Sequence, residues 1–354
     1  MVAQTFSTLN ALRGAAAIAV ATTHWRSAFG PYYAHSGYLA VDLFFLISGF
    51  VIAYSYDARL SSGWSLTHFL RLRFVRFYPM YILGVCVTLC GIFLLHSQDR
   101  MGASLSEIGV AFLCNGLMLP SFPMGQSYAV FPLNSPAWTL YLELICNLLY
   151  ALLHRFTGPR NLLLSMALSA AALTTVALVF GTINLGFSSY NFFVGFFRVG
   201  FSFSTGVLLC RAYRANLLPR LRVPGVMIIL LCLAFLLYQP VTKAPFELLC
   251  VFLLFPLAII AAVRSSVHTG ISDILGSISY PLYALHMPVL AIILVLFGGG
   301  SPSALAFTAL ICLLALLLAC WALDRWIDRP IRVRWSKPSP RLPGEPAIGP
   351  LSVA

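Results

Sequence analysis

Charge is scarce in this chain. Only 9% of its 354 residues are Asp, Glu, Lys or Arg, whereas a soluble domain carries roughly a quarter, so the bilayer rather than water is the main solvent. Metal-type cysteine spacing is also missing. The nine cysteines, at positions 86, 90, 114, 146, 210, 232, 250, 312 and 320, fall almost entirely inside apolar stretches. They read as small hydrophobes in helices, and no metal site is expected. No Lys or Arg precedes Arg13, which argues against a secretory signal around Ala15, Ala16 and Ala17 and for a retained first helix. Nor is there a visible inverted repeat of the kind transporters carry.

What remains is 60% hydrophobic and arranged in membrane-length runs. A membrane helix needs about 20 mainly apolar residues, and ten stretches qualify: 9–30, 36–56, 74–97, 136–156, 160–181, 190–212, 224–240, 244–264, 271–298 and 303–326. An eleventh, 105–119, is short and contains Glu107, Asn115 and Gly116. The formal charge of +12 would suit nucleic acid, but its distribution follows topology instead. With a cytoplasmic amino terminus and no crossing by 105–119, seventeen of the 22 Lys and Arg residues lie in inner loops and the tail, and only Arg26, Arg100 and Lys243 lie outside. That is the positive-inside pattern. The reading is an all-α polytopic bundle of about ten helices, with both termini cytoplasmic and no nucleic-acid partner. Residues 1–335 form the membrane domain, and the Pro-, Gly- and Ser-rich residues 336–354 form a disordered cytoplasmic tail. Residues 98–135 become the longest external segment, of the kind that serves as a lid or binding element.

Ionisable residues inside a membrane cost roughly 2.5–3.5 kcal/mol each on insertion scales and usually face the bundle interior for a functional reason. Here they are Arg13, His24, Asp42, Glu143, Arg198 and His286, with Arg71, Arg73 and Arg76 at the inner end of the third stretch. At about 1.5 Å per residue, His24, Asp42 and Glu143 lie roughly 9–10 Å below the outer surface, His286 nearer mid-depth, and Arg13 about 16 Å deeper than His24. An acid/base group thus faces out and a cationic group faces in. Each residue also has a structural explanation. Arg13 fits a snorkelling anchor, the Arg71–Arg76 group plain inside-positive charge, and Arg198 an ion pair with Asp42 or with Glu143. His24 fits a hydrogen bond to a neighbouring helix.

At these residues the sequence resembles the acyltransferase-3 family, bacterial membrane proteins that O-acylate sugars of surface and secreted glycans and some small molecules. Leu9-Asn10-Ala11-Leu12-Arg13-Gly14 followed by His24 resembles the family's opening helix, and Ala40-Val41-Asp42 through Ser48-Gly49-Phe50 its second-helix signature, with Ala40 where Gly is usual. Arg73-Phe74-Val75-Arg76 is similar to a paired-Arg motif before helix three, and Ser135-Pro136-Ala137-Trp138 through Tyr141-Leu142-Glu143 to an aromatic-to-Glu motif. Leu144 stands where a second acid is frequent. Ile278-Ser279-Tyr280-Pro281 through His286 and Asp328-Arg329-Pro330 complete the series. The match covers about residues 5–335, with no hydrolase-like domain appended.

The resemblance implies a multi-pass protein of the bacterial cytoplasmic membrane with no permanently bound cofactor. It uses cytoplasmic acyl-CoA, acetyl-CoA in the simplest case, to acylate a hydroxyl of an exopolysaccharide, O-antigen or lipid-linked saccharide. A macrolide or glycolipid acceptor is the alternative, and a proton-coupled transporter or flippase the alternative of a different class. Guanidinium groups hold phosphates bidentately, which makes Arg71, Arg73 and Arg76 the candidates for CoA binding, with Arg13 further along the donor path. His24 suits the base that deprotonates the acceptor hydroxyl. Asp42 or Glu143 is expected to hold its second ring nitrogen. Arg198, Tyr141, Trp138 or a backbone amide are candidates for the oxyanion donor, and Tyr280 and His286 for supporting roles. No Ser or Cys is fixed beside His24, which favours direct transfer over an acyl-enzyme.

Overall fold

A computed structural model of the chain describes residues 6–96, 102–297 and 301–335. The expected tail at 336–354 and the external Arg100 lie outside these residues. The described residues form helices with only isolated β-bridges. We label the main helices α1 (Ser7–His24), α2 (Ala40–Ser61), α3 (Leu66–His96), α4 (Leu105–Gly116), α5 (Ala137–Leu152), α6 (Pro159–Phe180), α7 (Val194–Arg214) and α8 (Gly225–Leu237). They are followed by α9 (Lys243–Ala262), α10 (Thr269–Phe297) and α11 (Pro302–Leu323). A wide turn at Cys250–Leu254 interrupts α9 just before Pro256, whose missing N–H cannot continue the ordinary ladder.

Ten helices, all but α4, occupy the ten apolar stretches, and six of them are long and apolar enough to cross a membrane: α2, α3, α6, α9, α10 and α11. The remaining four, α1, α5, α7 and α8, are shorter or carry the intramembrane charges. The chain is a multi-pass membrane protein.

Two boundaries differ from the sequence reading in ways that matter. The third helix begins at Leu66, not at 74, so Arg71, Arg73 and Arg76 belong to its first turns instead of to a loop. The last helix continues beyond 326 through a π-helical turn, Asp324–Asp328, into Arg329–Trp335. Ion pairs within that extension hold it: Arg332 meets Asp324 at 2.6 Å and Asp328 at 2.9 Å.

The short apolar stretch 105–119 forms a helix of 12 residues, fewer than a membrane span needs. Helix α4 runs down to the middle of α3, where Tyr78 Oη donates to the Gly116 carbonyl at 3.0 Å and Tyr81 Oη to that of Asn115. The chain then turns back at Met118, at φ +60°. The returning strand is tied to the descending helix by the Leu133 N–H, which donates to Asn115 Oδ1 at 3.2 Å. Asn115 is fully buried, and its amide also donates to Leu119 O at 3.1 Å. A buried side-chain amide needs such internal partners. Residues 102–135 therefore pack against the side of α3, with only Ile108, Ala111 and Asn115 of α4 buried.

Where helices cross, glycines let backbones touch, as expected for packing in which lipid supplies no drive for association. A Cβ on Gly14 would stand 2.3 Å from the carbonyl oxygen of Leu275, and one on Gly49 would stand 2.2 Å from that of Phe203. The first contact sets how closely α1 lies on α10. Gly14→Val is therefore expected to destabilise the fold by about 1–3 kcal/mol and to reduce activity with it. An unchanged thermal midpoint in detergent would show that the crossing tolerates a side chain.

Candidate active site

Helices α1 and α10 run side by side, fastened near their starts by Ser272 Oγ donating to Ser7 O at 2.9 Å. Eleven residues after Arg13, the last residue of α1, His24, meets α10. His286 Nε2 lies 3.0 Å from His24 Nδ1. His286 is fully buried, and its Nδ1 is 3.0 Å from the Leu282 carbonyl. His24 is exposed, and its Nδ1 is also 3.1 Å from the Val20 carbonyl. The indole N–H of Trp25 donates to the His286 carbonyl at 2.9 Å and closes the contact. Pro288, lacking an N–H, leaves the Ala284 carbonyl without its helical donor. The Asn134 amide supplies a replacement at 3.0 Å, which ties the chain returning from α4 to the same stretch of α10.

Sequence depth misjudged this pair because the two helices end at different levels. Helix α1 stops at His24, whereas α10 continues eleven residues past His286, about 16 Å of further rise. The two imidazoles therefore share one level, although His286 counts as mid-helix.

Next to them lies a cavity whose lining includes Arg13, Glu143 and Tyr283. Tyr283 and Phe44 line its upper part, their rings 5.6 Å apart. The His286 ring is 5.8 Å from that of Tyr283. Tyr283 Oη is fixed by Thr139 Oγ1 at 2.7 Å. Apolar residues of α2, including Val41, Phe45, Ile47, Val51 and Ile52, line the cavity as well. The charged lining residues are Arg13, Arg73, Arg76 and Glu143, three cations against one anion.

Two of those cations, Arg73 and Arg76, are loosely held. Arg73 reaches Glu143 at 3.6 Å, and its buried Nε has no hydrogen-bond partner. Arg76 approaches Asp328 at 3.8 Å and stacks over the Tyr280 ring at 5.4 Å. Both distances exceed those of a charge-assisted hydrogen bond, about 2.7–2.9 Å. Buried guanidinium groups left with spare N–H capacity at one end of a cavity make a site for an anion.

The expected partner of His24 needs correction. Neither carboxylate hydrogen-bonds it among the described residues. Asp42, 1% exposed, is held two-pronged by Arg198, with Nη2 to Oδ2 at 2.6 Å and Nε to Oδ1 at 3.2 Å. Glu143 accepts from Ser48 Oγ and faces Arg73. The neighbour of the His24 ring is His286, which the sequence offered only a supporting role.

Arg198 is likewise committed. Its remaining donors reach the carbonyls of Leu185 at 3.1 Å and Tyr38 at 3.2 Å, and its guanidinium covers Trp138 at 5.6 Å. Tyr38 in turn donates to the fully buried Glu247, which also accepts from the Ile183 N–H at 2.6 Å. The Asp42–Arg198 pair thus anchors the 181–193 connection and leaves Arg198 no free nitrogen for an oxyanion. Removing one member strands a buried charge, so Asp42→Ala or Arg198→Met alone is expected to lose about 3–5 kcal/mol of stability. The double change Asp42→Leu/Arg198→Met should lose much less than the sum. Thermal unfolding of all three proteins in detergent checks the coupling, and strict additivity would contradict it.

Of the other expected site residues, Tyr280 lines the cavity and donates to the Phe77 carbonyl. Trp138 and Tyr141 do not line it. Trp138 packs on Gly186 and Gly195, and Tyr141 lies among Phe131 and Phe192. Arg71 is exposed, with its guanidinium over Trp335 at 5.1 Å, apart from Arg73 and Arg76. Ser48, Thr139 and Tyr283 were not singled out in the sequence, although each sits in a motif that was.

A family model described as an acyltransferase domain matches residues 6–324. The chain belongs to the acyltransferase-3 family. A protein of Rhizobium radiobacter described as Protein 2 in picA locus is 35% identical over 186 residues, 49% of this chain and 96% of its own length. Acyltransferase MdmB of Streptomyces mycarofaciens is 32% identical over 119 residues, 34% of this chain and 29% of its own. The chain therefore spans less than a third of that second relative. No solved structure matches. Family and fold together make the protein a membrane O-acyltransferase, with the histidine pair and the arginine-lined cavity as its candidate active site.

Proposed function

We propose that this protein carries an acyl group, acetyl in the simplest case, from acyl-CoA to a hydroxyl of a sugar in an exopolysaccharide, O-antigen or similar glycan. The donor enters from the cytoplasm at the Arg13 end, and the acceptor waits at the His24 end, across the bacterial inner membrane. The observation that carries this reading is a cavity lined by Arg13, Arg73 and Arg76, with an unpartnered nitrogen on Arg73, whose lining residue Tyr283 has its ring 5.8 Å from that of His286. Arg13 and His24 are about 16 Å apart along one helix, comparable to an extended phosphopantetheine arm. CoA phosphates held by Arg73, Arg76 and Arg13 would therefore leave the thioester near His24. Arg71, standing apart over Trp335, is left to the outer rim of the donor entrance.

In the reaction the acceptor O–H gives its proton to His24 while its oxygen attacks the thioester carbonyl carbon. The C–S bond then breaks, and the same proton passes to sulfur, releasing CoA–SH and the ester. Purified protein in detergent, given acetyl-CoA and candidate saccharides, should release free thiol only when an acceptor is present. Mass spectrometry should then find the ester on the saccharide. Movement of substrate without thiol release would favour a transporter, and an ester found only on small molecules would move the acceptor class.

A further inference from the structure

We propose that His286 is the positioning residue that fixes the tautomer of His24, in the place where a carboxylate would be expected, so that His24 Nε2 is the atom that handles the proton. The proposal rests on the acyl-transfer reading above, but its geometry is independent of the acceptor. His286 Nδ1 is 3.0 Å from the Leu282 carbonyl. A carbonyl only accepts, so Nδ1 carries the hydrogen and Nε2 of the neutral ring carries the lone pair. That lone pair lies 3.0 Å from His24 Nδ1. The Val20 carbonyl, 3.1 Å from the same nitrogen, also requires a hydrogen there. Two independent acceptors thus converge on His24 Nδ1. The proton is held at Nδ1, and Nε2 is left with its lone pair on an exposed ring.

The alternative tautomer would point lone pairs at two backbone carbonyls at once. Among the described residues no carboxylate hydrogen-bonds either ring: Asp42 is bound by Arg198 and Glu143 by Ser48 and Arg73. His286 is in turn immobilised by burial and by the Trp25 indole on its carbonyl.

This arrangement sets the chemistry of the step. When His24 Nε2 takes the hydroxyl proton, the imidazolium keeps its Nδ1–H on a neutral acceptor, and no second charge is buried beside it. With His286 Nδ1 held by a carbonyl, the pair has no route to pass the proton onward. The proton stays on His24 Nε2 until the departing thiolate collects it. One nitrogen therefore serves the O–H that breaks and the S–H that forms, and the step needs no co-reactant beyond acyl-CoA and alcohol.

The test compares His286→Leu, which removes the acceptor, with His286→Gln, whose amide oxygen can restore it. His286→Leu should lower kcat by about 10²-fold with KM for acetyl-CoA unchanged, and His286→Gln should recover to within about tenfold of the native protein. Imidazole ¹⁵N shifts of native protein labelled at histidine should report His24 protonated at Nδ1. An Nε2-protonated His24, or a folded His286→Leu protein with native kcat, would overturn the proposal. Should His24→Ala also retain activity, the acyl-transfer reading itself fails. If only His286→Leu retains it, that reading stands without the positioning role of His286.

Discussion

His24→Ala lowers kcat for acyl transfer by about 10²–10⁴-fold, the range general-base catalysis contributes, while KM for acetyl-CoA stays near its native value. The split follows from position. His24 sits at the end of α1 and touches His286, whereas the cations that would bind the donor line the adjacent cavity. Removing the imidazole takes away the proton acceptor and leaves the phosphate contacts intact. Its backbone role is small, since it ends the helix and its ring is exposed. Steady-state kinetics on purified, folded protein gives both constants. A parallel rise in KM would mean that His24 contributes to donor binding instead.

Arg73→Ala shows the opposite split, with KM for acetyl-CoA raised roughly 10- to 150-fold and kcat less affected. A hydrogen bond to a charged partner is worth about 1.5–3 kcal/mol, and each 1.4 kcal/mol is about tenfold in affinity. Arg73→Lys keeps the charge but loses the planar fork, so it should fall between native and Ala. Arg73 also faces Glu143 at 3.6 Å, and truncation alone leaves that carboxylate with Ser48 as its partner. Part of any loss would then be instability. The companion Arg73→Ala/Glu143→Gln separates the two, because it removes the stranded charge and should regain thermal stability without regaining donor affinity. Isothermal titration with CoA reads the affinity directly. Native affinity in both variants would remove Arg73 from the donor site.

The helical bundle and the poles of the site were legible because membrane insertion penalises charge so heavily. Arg13, His24, Asp42, Glu143, Arg198 and His286 stood out for that reason, and Asp42 with Arg198 was one of the two ion pairs the sequence left open. What stayed hidden depends on where helices stop. Depth counted from apolar stretches assumed that every helix ends at the same plane, so His286 looked deeper than His24. In fact α1 ends at His24 and α10 runs on to Phe297. The assignment of a carboxylate to His24 failed for a related reason: depth alone cannot tell which cation claims each acid, and Arg198 and Arg73 each face one. The fold-back after α4 was hidden because its stabilising element is a single buried amide, Asn115, which reads in sequence as a blemish in a short apolar run. Arg332 was placed among the inner-loop cations because the last helix was taken to end near 326, yet it is bound to Asp324 and Asp328 within the extended helix.

The measurement that bears most directly on the proposed mechanism uses the two ends of the molecule. Protein reconstituted in one orientation in vesicles, with labelled acetyl-CoA confined to the Arg13 side and a saccharide acceptor confined to the His24 side, should form labelled ester. Exchanging the two compartments should abolish it. Ester formation of equal rate in both arrangements, or only with donor and acceptor together on the His24 side, would contradict a donor path through the arginine-lined cavity.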